Sequence, residues 1–385
     1  MNEFKINISD EILDDLKYRL ERVRWPDEIP GSGWMHGTNL EYLKELVEYW
    51  KNDFDWKKHE KSLNEFNHYT SNIEDFNIHY IHEKSPNKNA IPIVITHGWP
   101  STFYEMHKII PLLSNPEING GDPADSFDVV APSLPGYGFS SRPTKPGLNV
   151  RETAKLWNSL MTNTLGYTKY AAHGGDIGAG VTTQLGYLYS SSDNIIGLHF
   201  TALNRPGAYL GEGSKELTEA EIAHIKQQDK WNHEEAAYNR MHSTRPQTLA
   251  YGLTDSPIGL AGWIVEKYRA WSDCGGDIES RFTKDDLLIN LTIYWATETI
   301  NSSTRMYFEN YPITGGSFGK SDKITIPTAG AIFPHDIATP PREWAERSYN
   351  IVRWTEMPRG GHFAAMEEPE MLVNDIRDFF RDFRN

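Results

Sequence analysis

The first apolar rhythm along the chain has a helical period: Ile12, Leu13, Leu16, Leu20 and Val23 share one face, and Trp25-Pro26 closes the run. A second rhythm follows. Leu40, Leu43, Val47 and Trp50 line one face, and Thr38 with Glu41 has the spacing of a capping box at its start. Short helices draw most of their stability from packing an apolar stripe on something else. Residues 1–75 are therefore expected to form a helical meander lying on the body of the protein, not an independent domain.

The period changes after Asp75. Residues 76–81 alternate weakly, Ile91–Thr96 is a short apolar run of the kind found in strands buried on both faces, and 127–131 is a third strand candidate. A helix over 150–165, a strand over 169–173, a helix to about Tyr189 and a strand at Ile195–Phe200 continue the alternation. Strands and helices alternating in this way predict an α/β fold, a mostly parallel central sheet covered by helices on both faces. From 204 to about 310 the rhythm breaks into helices and loops without a clear strand. Strand-like runs return at Ile324–Ile332 and 350–354, and a last amphipathic helix carries Met371, Ile376, Phe379 and Phe380. The expected organisation is a core in two parts, 76–203 and 312–385, with a helical lid, 204–311, inserted between them.

Composition narrows the partners. A formal net charge of -15 argues against nucleic acid and anionic membrane surfaces, both of which need a basic face. No window approaches the roughly 18 consecutive apolar residues of a membrane span. The N-terminal residues lack the basic and apolar regions of a signal peptide, and the lone Cys274 forms no intramolecular disulfide, which together predict a soluble, cytoplasmic protein. Oligomeric state is not legible; a homodimer stays open.

The candidate chemistry begins at HGGDIGAG, residues 173–180. Between a strand and a helix it has the G-x-Nu-x-G pattern of a nucleophile elbow, with Asp176 where a serine usually stands. Asp336 in FPHD follows a later strand and His362 in GGHFAAMEEPE follows the last, the chain order nucleophile, acid, histidine of an α/β-hydrolase fold. Each residue alone is equally a helix cap or a loop residue; the shared order and the flanking glycines select them. The aspartate has a chemical rationale. A serine that attacks a saturated carbon forms an ether that water cannot reopen, whereas an aspartate forms a hydrolysable ester. A carboxylate is also ionised at neutral pH without a base, which leaves His362, oriented by Asp336, to activate water for the second step. The substrate is then an epoxide or an alkyl halide.

The motifs HGWPSTFYE (97–105), PGYGFS (135–140), HGGDIG (173–178), FPHD (333–336) and PRGGHFAAMEEPE (358–370) resemble those of the microsomal-type epoxide hydrolases in a soluble form, over nearly the whole chain. The resemblance implies opening of a small apolar epoxide to a vicinal diol through an ester on Asp176, with no cofactor and no metal. It also implies an oxyanion hole made by the backbone N–H groups of Trp99 and Ile177, and two lid tyrosines, Tyr238 and Tyr307, that hydrogen-bond the epoxide oxygen. Members usually carry Trp where this chain has Ile177, which predicts a wider or differently shaped site. They commonly have Gly at the position of Ser101, a change given no role.

Other signals are weaker. His224, His233 and His242 stand nine residues apart, off the spacing of metal ligands on a helix, and are expected at the surface. Trp263, Trp271, Tyr294 and Trp295 in the lid suit either an apolar pocket or a lid core. A haloalkane or haloacid dehalogenase with the same nucleophile, and a non-catalytic binding protein on a hydrolase fold, stand as alternatives.

Overall fold

The computed structural model describes residues 1–203, 208–314, 319, 322–337 and 339–384. Its strands are β1 (Asn2–Glu3), β2 (His68–Ile73), β3 (Phe76–Glu83), β4 (Ile91–Thr96), β5 (Phe127–Pro132), β6 (Tyr170–Gly174), β7 (Ile195–Phe200), β8 (Ile324–Ile332) and β9 (Tyr349–Glu356). They form one sheet in the order β1-β2-β3-β5-β4-β6-β7-β8-β9. The first pairings, through β3 with β5, are antiparallel, and those from β5 to β9 are parallel. The chain runs outward from β4 to β5 and then returns to place β6 on the other side of β4. This reversal opens a crevice at the carboxyl ends of β4 and β6, where ligands of open α/β sheets bind.

The central strands are apolar on both faces, so helices must cover both. Val150–Ser159 packs against Asp176–Leu188, and Ile109–Ser114 against Pro369–Phe380. The helix expected over 150–165 is α-helical to Ser159 and continues as a π turn, Leu160–Thr164.

Periodicity placed residues 68–73 in the helical meander, but they form β2, paired with β3 across the turn at Glu74 and Asp75. Two of the three buried positions of β2, His68 and Ser71, are polar, which hides the strand from a hydrophobic pattern. His68 Nδ1 lies 2.9 Å from His79 Nε2, and Ser71 Oγ lies 2.9 Å from the Tyr80 hydroxyl, so these buried groups are satisfied across the hairpin.

The N-terminal helices Asp10–Leu20, Leu40–Asn52 and Trp56–Leu63 lie on the lid helices Pro257–Trp271 and Lys284–Thr297. The cap of the second is Asn39, whose side chain accepts from Tyr42 N at 2.9 Å, and not Thr38 as expected. Thr38 instead donates to the Gly262 carbonyl at 2.6 Å, tying the meander to the lid. Trp50 Nε1 donates to Thr292 Oγ1 at 3.2 Å across the same interface. Helix Lys284–Thr297 is buried on every side, from Asp286 to Trp295, because this layer covers its outer face.

Lid helices Glu219–Glu234, Ala237–Thr244, Pro246–Asp255 and Ile300–Thr314 complete the helical block. The lid boundary at 203/204 and residues 315–318 beyond 311 lie outside the described residues. No helix among the described residues is long and apolar enough to cross a membrane.

Candidate active site

Asp176 stands on the turn from β6 into helix Asp176–Leu188, as its first residue. Its φ of 47° is a left-handed conformation that non-glycine residues rarely adopt, and the surrounding packing has to hold it. Two glycines make this geometry sterically possible. A Cβ on Gly178 would collide with the Thr96 carbonyl of β4, and one on Gly98 would collide with the Asp176 side chain itself.

The carboxylate of Asp176 is held from two directions. Trp99 N–H, in the turn after β4, donates to Oδ1 at 2.8 Å, and Ile177 N–H at the start of the helix also donates to the carboxylate. On the other side His362 Nε2 lies 3.6 Å from Oδ2. Burial works against ionisation of Asp176, but the hydrogen bond and charge of His362, together with these two N–H groups, outweigh it and lower its pKa.

His362 Nδ1 lies 2.6 Å from Asp336 Oδ1, which also accepts from Ile337 N at 2.6 Å. An isolated parallel bridge between His335 and Gly361 joins the two turns that carry the pair. Burial lowers the affinity of His362 for a proton, yet the charges and hydrogen bonds of Asp336 and Asp176 dominate and raise its pKa well above the ordinary value. The imidazole thus lies between two carboxylates, an arrangement that favours its protonated form.

The histidine turn is itself positioned. His362 N donates to the Trp271 carbonyl at 2.8 Å. Glu367 accepts from Gly361 N at 3.1 Å, Phe363 N at 3.0 Å and Asp273 N at 2.8 Å, gripping both neighbours of His362; burial nevertheless pushes its pKa up to about 7. Glu105, a second carboxyl missed by pattern reading, is partly buried. It accepts weakly from Gly98 N at 3.4 Å, and burial raises its pKa to about 7.

The lid closes over this set with aromatic rings. Tyr238 stacks on Trp99 with centroids 5.3 Å apart and planes 7° apart, and Tyr307 meets Trp99 edge-on at 5.9 Å. The two tyrosine rings are 6.0 Å apart, and burial keeps the Tyr307 hydroxyl protonated by raising its pKa well above normal. Trp271 is the lid tryptophan that reaches the site, 5.2 Å from the His362 ring and 5.1 Å from Tyr238. Tyr294 instead donates to the Ser101 carbonyl at 2.9 Å and Asn290 to the Pro100 carbonyl at 2.9 Å, so helix Lys284–Thr297 braces the turn that carries Trp99. Ser101, given no role from sequence, has its hydroxyl 3.0 Å from that of Tyr268 and adds a third brace.

The expectation that His224, His233 and His242 lie at the surface holds only for His233. His224 is buried against Trp344, with centroids 5.3 Å apart. His242 is fully buried because it stands one helical turn after Tyr238, on the same inner face, with its ring 4.6 Å from Trp99 and 4.9 Å from Tyr307. That spacing is the signal that pointed inward. No group of three or more histidine, cysteine, aspartate or glutamate side chains among the described residues is arranged to hold a metal ion.

The nine-stranded sheet with an elbow after β6 defines an α/β-hydrolase, and a family model for the alpha/beta hydrolase fold matches residues 91–240. A second family model, for the epoxide hydrolase N terminus, matches residues 1–106. Epoxide hydrolase 1 of Oryctolagus cuniculus is 36% identical over 98% of this chain and 88% of its own length. The crystal structure of juvenile hormone epoxide hydrolase from the silkworm Bombyx mori superposes with a TM-score of 0.88 at 28% identity, covering 100% of this chain and 94% of that one. The Aspergillus niger epoxide hydrolase structure gives 0.85 at 31% identity, covering 99% and 96%. The chain belongs to the epoxide hydrolase family, and its activity is that of a hydrolase acting on epoxides.

Proposed function

We propose that the enzyme opens a small, largely apolar epoxide to a vicinal diol through a covalent ester on Asp176. The observation that carries this reading is the line Asp336–His362–Asp176, with Trp99 N–H already bonded to the nucleophile.

Oδ2 of Asp176 attacks a ring carbon, and the carbon–oxygen bond of the epoxide breaks. Tyr238 and Tyr307 donate hydrogen bonds to the oxygen as it gains charge, and one of them gives it a proton; positioned acids of this kind contribute on the order of 100- to 10,000-fold. Esterification removes the negative charge in front of His362. The imidazolium then loses part of the field that held its proton, and its release to the tyrosinate or to solvent balances the proton delivered to the product oxygen.

Neutral His362, oriented by Asp336, takes a proton from water, which attacks Cγ of Asp176. The developing oxyanion is Oδ1, which already accepts from Trp99 N–H, with Ile177 N–H donating to the same carboxylate; one such donor is worth roughly 100- to 1000-fold in rate. The carbon–Oδ2 bond to the substrate carbon stays intact while Cγ–Oδ2 breaks; Oδ2 leaves with the diol and takes up the second proton of the water, and the water oxygen remains on the regenerated aspartate carboxylate. Trapping the ester tests the sequence of steps: mass analysis of the peptide containing Asp176 after an acid quench should find the alkylated aspartate. Diol production with no adduct on that peptide, in a variant where hydrolysis is blocked, contradicts the mechanism.

A further inference from the structure

Three buried hydrogen-bond donors around the proposed nucleophile lack a partner among the described residues: Trp99 Nε1, Trp271 Nε1 and His242 Nδ1. Unsatisfied buried donors are uncommon, and a cluster of them marks a place where something else accepts. An epoxide oxygen takes the tyrosine hydroxyls and is then saturated, since it offers only two lone pairs. The remaining donors exceed what the epoxide ring itself can satisfy.

His242 is the donor among these whose orientation is enforced. Trp263 Nε1 lies 3.1 Å from His242 Nε2, and an indole N–H can only donate. Nε2 must therefore accept, which fixes the neutral tautomer with its proton on Nδ1. Burial, followed by the nearby Lys267, lowers the His242 pKa to about 3, so the ring does not escape this tautomer by protonation near neutral pH. Nδ1 lies on the opposite flank of the ring from Trp263. The ring packs edge-on to Trp99 at 4.6 Å and Tyr307 at 4.9 Å, and Trp99 is the residue whose backbone N–H holds Asp176. A second-layer residue that locks a buried imidazole in one tautomer, beside the reacting groups, is the arrangement by which proteins aim a donor.

We propose that His242 is a substrate-recognition residue whose Nδ1–H donates to an oxygen that the substrate carries beyond the epoxide ring. The enzyme then favours epoxides bearing a carbonyl or ester oxygen over hydrocarbon epoxides of the same length. The inference rests on the epoxide-opening reading above and narrows its substrate class. The competing structural role is an N–H directed at the face of a neighbouring ring, a weak contact that needs no substrate oxygen.

The test compares kcat/KM for glycidyl butyrate with that for 1,2-epoxyoctane, which has a side chain of the same length without oxygen. The readout is the ratio of the two, so a general loss of activity cancels. His242→Phe should lower the ratio by about tenfold, the worth of one hydrogen bond. His242→Gln, which retains an N–H, should keep part of the preference. Trp263→Phe frees Nε2 and should lower the ratio although Trp263 itself does not meet substrate; this variant carries the test if His242→Phe does not fold. A ratio unchanged in His242→Phe, or in Trp263→Phe where that is the variant measured, overturns the inference and assigns His242 to packing. Turnover of 1,2-epoxyoctane by the unaltered enzyme reports separately on the epoxide reading. If neither substrate yields diol, that reading fails and the inference falls with it.

Discussion

Trp99 N donates to Oδ1 of Asp176 at 2.8 Å, so the donor expected to stabilise an oxyanion already holds one oxygen of the proposed nucleophile. The two carboxylate oxygens are thereby made unequal. Oδ1 is bound by backbone, and Oδ2 faces His362 at 3.6 Å and is the oxygen that attacks in the proposed mechanism. On that mechanism the second half of the reaction needs no rearrangement, because the ester carbonyl oxygen is formed inside its own oxyanion site.

Replacing the base should separate the two chemical steps. In His362→Gln the nucleophile and the tyrosines remain, so alkylation proceeds and hydrolysis stalls. Intact-protein mass spectrometry should find close to one substrate equivalent added per chain. Steady turnover by this variant, near the rate of the parent enzyme, would sink the assigned role.

Asp336→Asn should act on the same step for a different reason. The carboxylate both orients His362 through a 2.6 Å contact and raises its pKa. Its loss should slow ester hydrolysis roughly 1000- to 10,000-fold, the size seen when a triad histidine is left in the wrong tautomer. Rapid-quench kinetics should find alkylation much less affected.

The two half-reactions should also differ in pH dependence. Asp176 has a lowered pKa, so alkylation should stay constant as pH falls through the ordinary carboxylate range, near 3.9. Hydrolysis needs His362 without its proton and should therefore decline as pH falls. Because the ester has lost the Asp176 charge, the midpoint of that decline should lie below the pKa of His362 in the free enzyme. Single-turnover rates measured against pH, with NMR titration of His362 in the free enzyme, check both statements.

Tyr238→Phe and Tyr307→Phe should each lower the alkylation rate and together abolish most of it, by roughly 1000-fold or more. Ester hydrolysis, measured on enzyme alkylated beforehand, should change little. A double variant that still alkylates rapidly would remove both hydroxyls from the mechanism.

Stability should depend on Asp375, which anchors the last helix to the sheet. Its Oδ1 accepts from Arg353 Nη2 at 2.6 Å and Thr355 Oγ1 at 2.6 Å, and His199 Nε2 lies 3.0 Å from Oδ2. Burial opposes its charge, but His199 and Arg353 outweigh this and lower its pKa. A lowered carboxylate pKa stabilises the fold above the unfolded value and loses that contribution only as pH falls through the folded one. Asp375→Ala should cost about 3 kcal/mol in denaturant unfolding at pH 7, and the two proteins should converge in strong acid.

The core strands were legible because they are largely buried: Ile91–Thr96, Ile195–Phe200 and Ile324–Ile332 read as short, mostly apolar or small-residue runs between helices. β2 was not, because two of its three buried positions are the polar His68 and Ser71, satisfied by partners on β3 that a linear pattern cannot reveal. Asp176, Asp336 and His362 could be selected by chain order and glycine context, and the fold brings all three together. His242 was missed: its four-residue spacing from Tyr238 places both on one helix face, but what that face meets depends on where the helix Ala237–Thr244 docks against Trp99. Glu105 and Glu367 were missed for the same reason; nothing local distinguishes a glutamate that caps distant backbone from one in water.

The most direct test is a single turnover of an epoxide in ¹⁸O-labelled water with enzyme in excess. The account predicts an unlabelled diol and one heavy oxygen in the peptide that contains Asp176, because the oxygen lost to product is replaced from water. Heavy oxygen in the diol after that first turnover, with none in Asp176, would mean that water attacks the epoxide directly and would contradict the ester mechanism.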